Sequence, residues 1–295
     1  HIASIIHTNC TPCHRPGSAG PFSLINYRDV VRKAKTIRYV TGIGLMPPWP
    51  ADRNYSYFAG EKGLSAEQIS MIAEWVGNGC PIGDSTKIPS PPDYPSGSQI
   101  GTPDLVIKMK DPYKITANNK DQFLLMKFPY DLERDTFIRA IEFVAGNKKV
   151  VHHVNGFLIQ YDANKKKNVF EGAHFVDTDE MDYPKAYEKM KLANDDGTYP
   201  MLTSSAVNYL PGVLPILYPP GIGGIRVKKK GAIFLKDIHY GPSSKESMDS
   251  SYFNIFFAKE APKRPLLELQ LGTLGVSEII PVSYTHLTLP TNREV

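Results

Sequence analysis

Cysteine is scarce in this chain of 295 residues: there are three, too few for a disulfide framework of the kind that holds small secreted domains together. Long apolar runs are missing as well. No stretch reaches the roughly 20 residues needed to span a bilayer as a helix, so no transmembrane segment is expected. Charge of one sign is never sustained. The net charge is only +4, and Lys165-Lys166-Lys167 and Lys228-Lys229-Lys230 are short and sit beside turn residues. Such clusters read as solvated hairpin tips rather than as a nucleic-acid surface. The remaining composition, 41% hydrophobic and 22% charged, is that of an ordinary globular protein with enough length for two cores.

Two of the three cysteines fall in one five-residue run, Cys10-Thr11-Pro12-Cys13-His14. A C-x-x-C-H run reads as a c-type haem attachment site. Two thiols one helical turn apart bond to the haem vinyl groups, and the adjacent histidine becomes the proximal iron ligand. A redox C-x-x-C and a zinc half-site are the alternatives. The first needs no following histidine, and the second wants another Cys/His pair nearby. Cys80 stands alone, as a structural thiol at the end of a helix.

Ile2, Ile5 and Ile6 have helical spacing and predict a short helix that delivers the cysteines. A second helix is expected over about Tyr27–Ile37, with Val30, Val31 and Ala34 turned inward. The loop Gly42-Ile43-Gly44-Leu45-Met46-Pro47-Pro48-Trp49-Pro50 comes next, stiffened by proline. Met46 on it could supply a thioether as second axial haem ligand, or could simply fill a core. A third helix starts at Ser65, where Ser65 and Gln68 predict a capping box, and carries Ile69, Ile72, Trp75 and Val76 on one face. With the haem motif and the methionine loop, residues 1–85 resemble a small all-α class I cytochrome c. They resemble most the cytochrome domains with a Met-Pro-Pro-Trp loop that bacteria fuse to copper oxygenases.

Residues 86–103 are rich in Pro, Ser and Gly and read as a stiff linker. Beyond them the pattern shortens. Runs such as Leu105–Met109, Gln122–Phe128, Phe137–Phe143, Gly156–Tyr161, Ala232–Tyr240 and Tyr252–Phe257 alternate with turn residues. They predict an all-β antiparallel sandwich, jelly-roll-like, over 104–281. About Asp177–Asn208 is more polar and is expected to be a long loop with a short helix. The whole is thus a multidomain chain, all-α then all-β. The N-terminus is expected to lack a signal peptide that the protein once had, and 282–295 breaks the pattern and is read as an artefactual tail.

Histidine is the other chemistry-bearing residue. Val150-Val151-His152-His153-Val154 puts two imidazoles side by side in a strand, where alternation sends them to opposite faces. Both could reach one metal only at a strand end, an edge or a bulge. His239 ends another strand. Spacing alone leaves a structural doublet, zinc and copper all open, and imidazoles suit either metal. His174 reads as a loop or substrate-side residue.

The ordered set His152-His153, Tyr209-Leu210-Pro211-Gly212, Tyr218-Pro219-Pro220-Gly221-Ile222-Gly223 and His239-Tyr240-Gly241 resembles the ascorbate-dependent type II copper monooxygenases. These are the relatives of peptidylglycine α-hydroxylating monooxygenase and dopamine β-monooxygenase. The resemblance covers the first of their two sandwich domains. It implies that His152, His153 and His239 hold an electron-transferring copper, and that the enzyme hydroxylates a small-molecule or peptide substrate with O2. The His-x-His pair of the family's oxygen-activating copper is missing, as are its disulfides, so no catalytic residue is assigned. The expected electron donor is ascorbate or a redox protein, and the expected location is periplasmic or exported. The alternative is a c-type electron carrier whose sandwich only docks a partner.

Overall fold

The computed structural model describes residues 1–267 other than 19, 50, 53, 58–60, 95 and 96. The expected tail at 282–295 and the expected end of the sandwich at 281 lie outside the described residues. Four α-helices are present among them: α1 (Ile2–Asn9), α2 (Tyr27–Gly42), α3 (Ala66–Gly77) and α4 (Tyr183–Lys189). None is long and apolar enough to cross a membrane.

The first three helices form as their sequences dictate. Ile5 and Ile6 of α1 are buried. Asn26 caps α2, whose buried residues include Val30 and Ala34, whereas Val31, expected inside, is exposed. The Ser65–Gln68 capping box of α3 is complete, each side chain bonding the other's backbone N–H. Ile72 is the buried residue of that helix, with Ile69, Trp75 and Val76 packed at its margin.

The expectation of a small all-α class I cytochrome c in front of the sandwich is nonetheless corrected. The chain is mostly β-sheet with four short helices, and no all-α domain stands apart among the described residues. The physical reason is a shortage of core. Among the described residues, the buried cluster the helices share holds seven large apolar side chains, Ile5, Ile6, Leu24, Val30, Ile37, Leu64 and Ile72. At ~1.5–3 kcal/mol for each large apolar side chain, that core is too small to offset the ordering entropy of 85 residues unaided. The helical segment instead leans on residues later in the chain. The Arg15 guanidinium lies 3.8 Å from the Tyr94 ring centroid, Tyr94 Oη bonds Thr11 Oγ1, and Lys62 donates to the Gly212 carbonyl.

The β-rich part is compatible with the expected antiparallel sandwich. Its strands are β1 (Leu105–Lys108), β2 (Tyr113–Ile115), β3 (Gln122–Asp131), β4 (Thr136–Val144), β5 (Val151–Tyr161), β6 (Phe175–Asp177), β7 (Met201–Tyr209), β8 (Ile225–Val227), β9 (Lys230–Tyr240), β10 (Ser247–Asp249) and β11 (Tyr252–Phe257). One sheet has the order β1-β11-β4-β8, the other β6-β3-β9-β5-β7, and β10 pairs with β2. All these pairings are antiparallel.

Alternation on β3 shows how the five-stranded sheet is buried on both faces. Leu124, Met126, Phe128 and Tyr130 enter the core shared with the other sheet. Leu125 points the other way, into a second cluster with Phe157, Ile159, Phe234 and Met190 beneath α4. Lys127 shares that outer face and donates to the Met190 carbonyl at 2.6 Å and to the Glu171 carbonyl. The strand β7, expected as loop, forms the sheet's edge.

Candidate metal centre and the cysteine motif

β9 lies between β3 and β5, and the pairing fixes the site. His239 is opposite Phe123 of β3 and opposite His153 of β5. One step along, Tyr240 is opposite Val151, so β5 spends two residues where β9 spends one. His152 is the extra residue of a β-bulge. A bulge re-aims a side chain, and this one undoes the alternation that would have parted the two histidines.

The three imidazoles converge. His153 Nδ1 lies 3.2 Å from His152 Nδ1 and 3.3 Å from His239 Nδ1. One ring nitrogen of each residue falls within 4.8 Å of the others, and the set could hold a metal ion. Ligand bonds of 2.0–2.1 Å at tetrahedral angles would separate neighbouring nitrogens by about 3.3 Å. The two separations made by His153 match neighbouring ligands of one ion.

The far nitrogens settle the tautomers. His153 Nε2 is 2.9 Å from Asp237 Oδ2, and His239 Nε2 is 2.7 Å from Asp121 Oδ1. An ionised carboxylate only accepts, so each Nε2 carries its hydrogen and donates it. When neutral, each ring then presents a bare Nδ1 lone pair. Two such lone pairs at 3.3 Å repel, and a cation between them removes the conflict. Carboxylates behind ligating histidines also raise their basicity and hold their rings. Phe123 stacks on His239, with centroids 4.4 Å apart and planes 10° from parallel, which restrains that ring further. His152 is exposed, while His153 and His239 are partly covered, so the site opens to solvent on one side.

Among the described residues this is the only group of three or more His, Cys, Asp and Glu placed to hold a metal. The chain matches no protein-family model and no curated protein. Asp121 and Asp237 escaped the sequence reading. Asp237 had a signal, since Asp-x-His on a strand puts both side chains on one face. Asp121, just before β3, had none.

The cysteine motif comes directly after α1. His14 Nδ1 is 3.2 Å from the Phe22 carbonyl, to which it donates, so Nε2 is the bare nitrogen. A proximal haem ligand needs that tautomer. Gly20 closes the turn by donating to the Cys13 carbonyl at 3.0 Å, and a Cβ there would strike His14. Burial and the nearby Cys13 push the Cys10 thiol up to about 11, so it is protonated at neutral pH. These residues fit the attachment of a c-type haem.

Met46 lies on the loop after α2 and is 39% exposed, so it fills no core there. Met71 packs against the helical cluster, as expected of core. His174 is not among the three histidines that meet, and its pKa is lowered by burial and then by Lys127 and Lys110.

Proposed function

We propose that the protein is a haem- and copper-binding redox protein. In this reading His152, His153 and His239 hold copper through Nδ1, and Cys10, Cys13 and His14 hold a covalent c-type haem, with Met46 as its further ligand. The observation that carries the proposal is the convergence of three imidazole nitrogens, two of them backed by carboxylates. Copper is favoured over zinc because a neutral imidazole set suits both Cu(I) and Cu(II), and the chain carries a second redox motif. When bound, the two groups each supply one-electron chemistry.

The chain's own residues bring the motifs to one end of the sandwich. Gly212 abuts Cys13 Sγ, since a Cβ on it would overlap that sulfur. Three residues back stands Tyr209, whose partner across the ladder is Val154, the neighbour of His153. An electron from ascorbate or a redox protein would thus cross from one motif to the other within a single chain. The finer proposal is that this feeds O2-dependent hydroxylation of a small-molecule or peptide substrate, as the motif resemblance implies. That step calls for a second metal group, and the described residues hold one. Covalent haem attachment implies a periplasmic or exported protein.

The experiment is a single-turnover transfer. The chain is produced with c-type haem maturation, its haem is reduced, excess reductant is removed, and one equivalent of Cu(II) is added without oxygen. One electron should leave each ferrous haem and reduce one Cu(II), seen as loss of the reduced-haem bands. His153→Ala should slow that loss strongly. Equal rates in both proteins, or no covalent haem in either, would refute the proposal.

A further inference from the structure

The outer face of the five-stranded sheet is covered only in part. α4 is short, and its Ala186 and the following Met190 pack over Leu125 and Val176. Between α4 and the edge strand β7 a cleft of about 890 Å³ stays open, a size usual for small-molecule sites. Phe157, Ile159 and Phe234 form its floor, with Tyr187 of α4 on one wall and Leu202 of β7 on the other. Leu202 is 46% exposed, so the mouth is apolar too. Lys236 stands in this setting. It follows Phe234 on the same face of β9, is partly buried, and makes no hydrogen bond or ion pair among the described residues. A half-buried ammonium without a partner is costly, and an anion placed on it recovers that cost. The acids of the cleft do not supply that anion. Asp195 lies 3.6 Å from Lys166 and accepts from Lys167 N–H at 2.8 Å, Glu171 faces the Lys127 ammonium, and Glu188 is exposed, as is Lys191. A smaller recess runs on from Phe157 and Lys236 to Phe123 and Asp237, the two residues that hold the rings of His239 and His153. Alternation puts Phe157 and His153 on one face of β5, so the cleft and the metal centre share that face.

We propose that this cleft binds a small aromatic carboxylate, its ring on Phe157 and Phe234 and its anion at Lys236. Charge and lining together choose the class. An aromatic body suits a floor and wall built of rings, and a carboxylate gives Lys236 the partner it lacks. An amine would set like charge against Lys236, and a sugar would leave its hydroxyls unpaired on the apolar floor. The ligand's anion would sit one residue from Asp237, with the recess leading on to the metal centre. The site stands separately from the copper and haem reading, because none of the residues assigned to either group lines the cleft.

The test titrates the full chain with naphthylacetate, naphthylethanol and naphthylethylamine, read by the fluorescence anisotropy of the naphthyl ring. Naphthylacetate should bind saturably, one per chain. The alcohol and the amine should bind about tenfold more weakly or worse, since a hydrogen bond to a charged group is worth that much. Lys236→Met keeps the length of the side chain without its charge, and should bind the acid no better than the alcohol. Leu202→Glu sets a carboxylate on the wall and should weaken the acid. Both side chains reach solvent, so both variants should fold, with thermal unfolding as the check. Leu202 is opposite Ile159, about 20 Å along β5 from His153, so an acid held by the metal would bind Leu202→Glu as tightly as the wild type. That result would overturn the cleft. So would no saturable binding, an amine bound as tightly as the acid, or a full preference for the acid in Lys236→Met. Copper binding and haem attachment can fail with every one of these results unchanged.

Discussion

The carboxylates behind the histidines give the most discriminating prediction. Asp121→Asn and Asp237→Asn keep the shape of each side chain and remove its charge. Each amide can still accept from the histidine Nε2–H through its oxygen, so the ring stays in place. The lost charge makes the imidazole a poorer donor and removes a negative group that compensates a divalent ion. Partners of this kind are worth 10–100-fold in metal affinity, or about 1.4–2.7 kcal/mol. The larger effect is expected for Asp121, whose contact with His239 is the shorter, 2.7 Å against 2.9 Å. His239→Ala should abolish tight binding, because it removes a ligand. The assay is competition for Cu(II) against a chelator of known affinity, with thermal unfolding alongside. Metal at 100 times Kd should stabilise the wild type by about 2.7 kcal/mol. If both Asn variants bind copper as tightly as the wild type, the carboxylates do not support a metal. If His239→Ala also does, the three nitrogens meet for another reason, such as a shared proton.

The packing gives two further outcomes. Leu158 is fully buried in the core between the sheets, so Leu158→Ala should cost about 2–5 kcal/mol in urea unfolding while leaving copper stoichiometry unchanged. Lys127 is 3% exposed, and burial, then Lys166, push its pKa down to about 8 from near 10.5. Folded, it sheds its proton near pH 8, and unfolded near pH 10.5, so its burial destabilises the fold in full below pH 8. That cost is relieved as pH rises from 8 to 10.5, by up to about 3 kcal/mol. The wild type should therefore gain stability over this window relative to Lys127→Met, and parallel pH profiles would contradict this.

Much of the sandwich was legible because its strands are apolar and short. The runs beginning at Gln122, Phe137, Ala232 and Tyr252 all lie in strands, and the one beginning at Leu105 does so up to Lys108. The edge strand β7 was not, since an edge needs little apolar content and Thr203, Asn208 and their neighbours read as loop. The histidines were legible as residues, but their meeting was not. It depends on one extra residue in β5, set by pairing with a strand more than 80 positions away, and sequence alternation argues against it. The helices were readable one by one from their caps and stripes. Whether three helices enclose a core of their own is a question of volume, which local periodicity does not carry. The expectation of a free-standing all-α domain failed on that point.

The most direct test is the coordination of copper in the purified chain, by metal analysis joined to paramagnetic resonance of the Cu(II) form. One copper per chain is expected, with three imidazole nitrogens in its signal and a loss of that pattern in each of His152→Ala, His153→Ala and His239→Ala. No bound copper, or a nitrogen pattern that survives all three substitutions, would contradict the account.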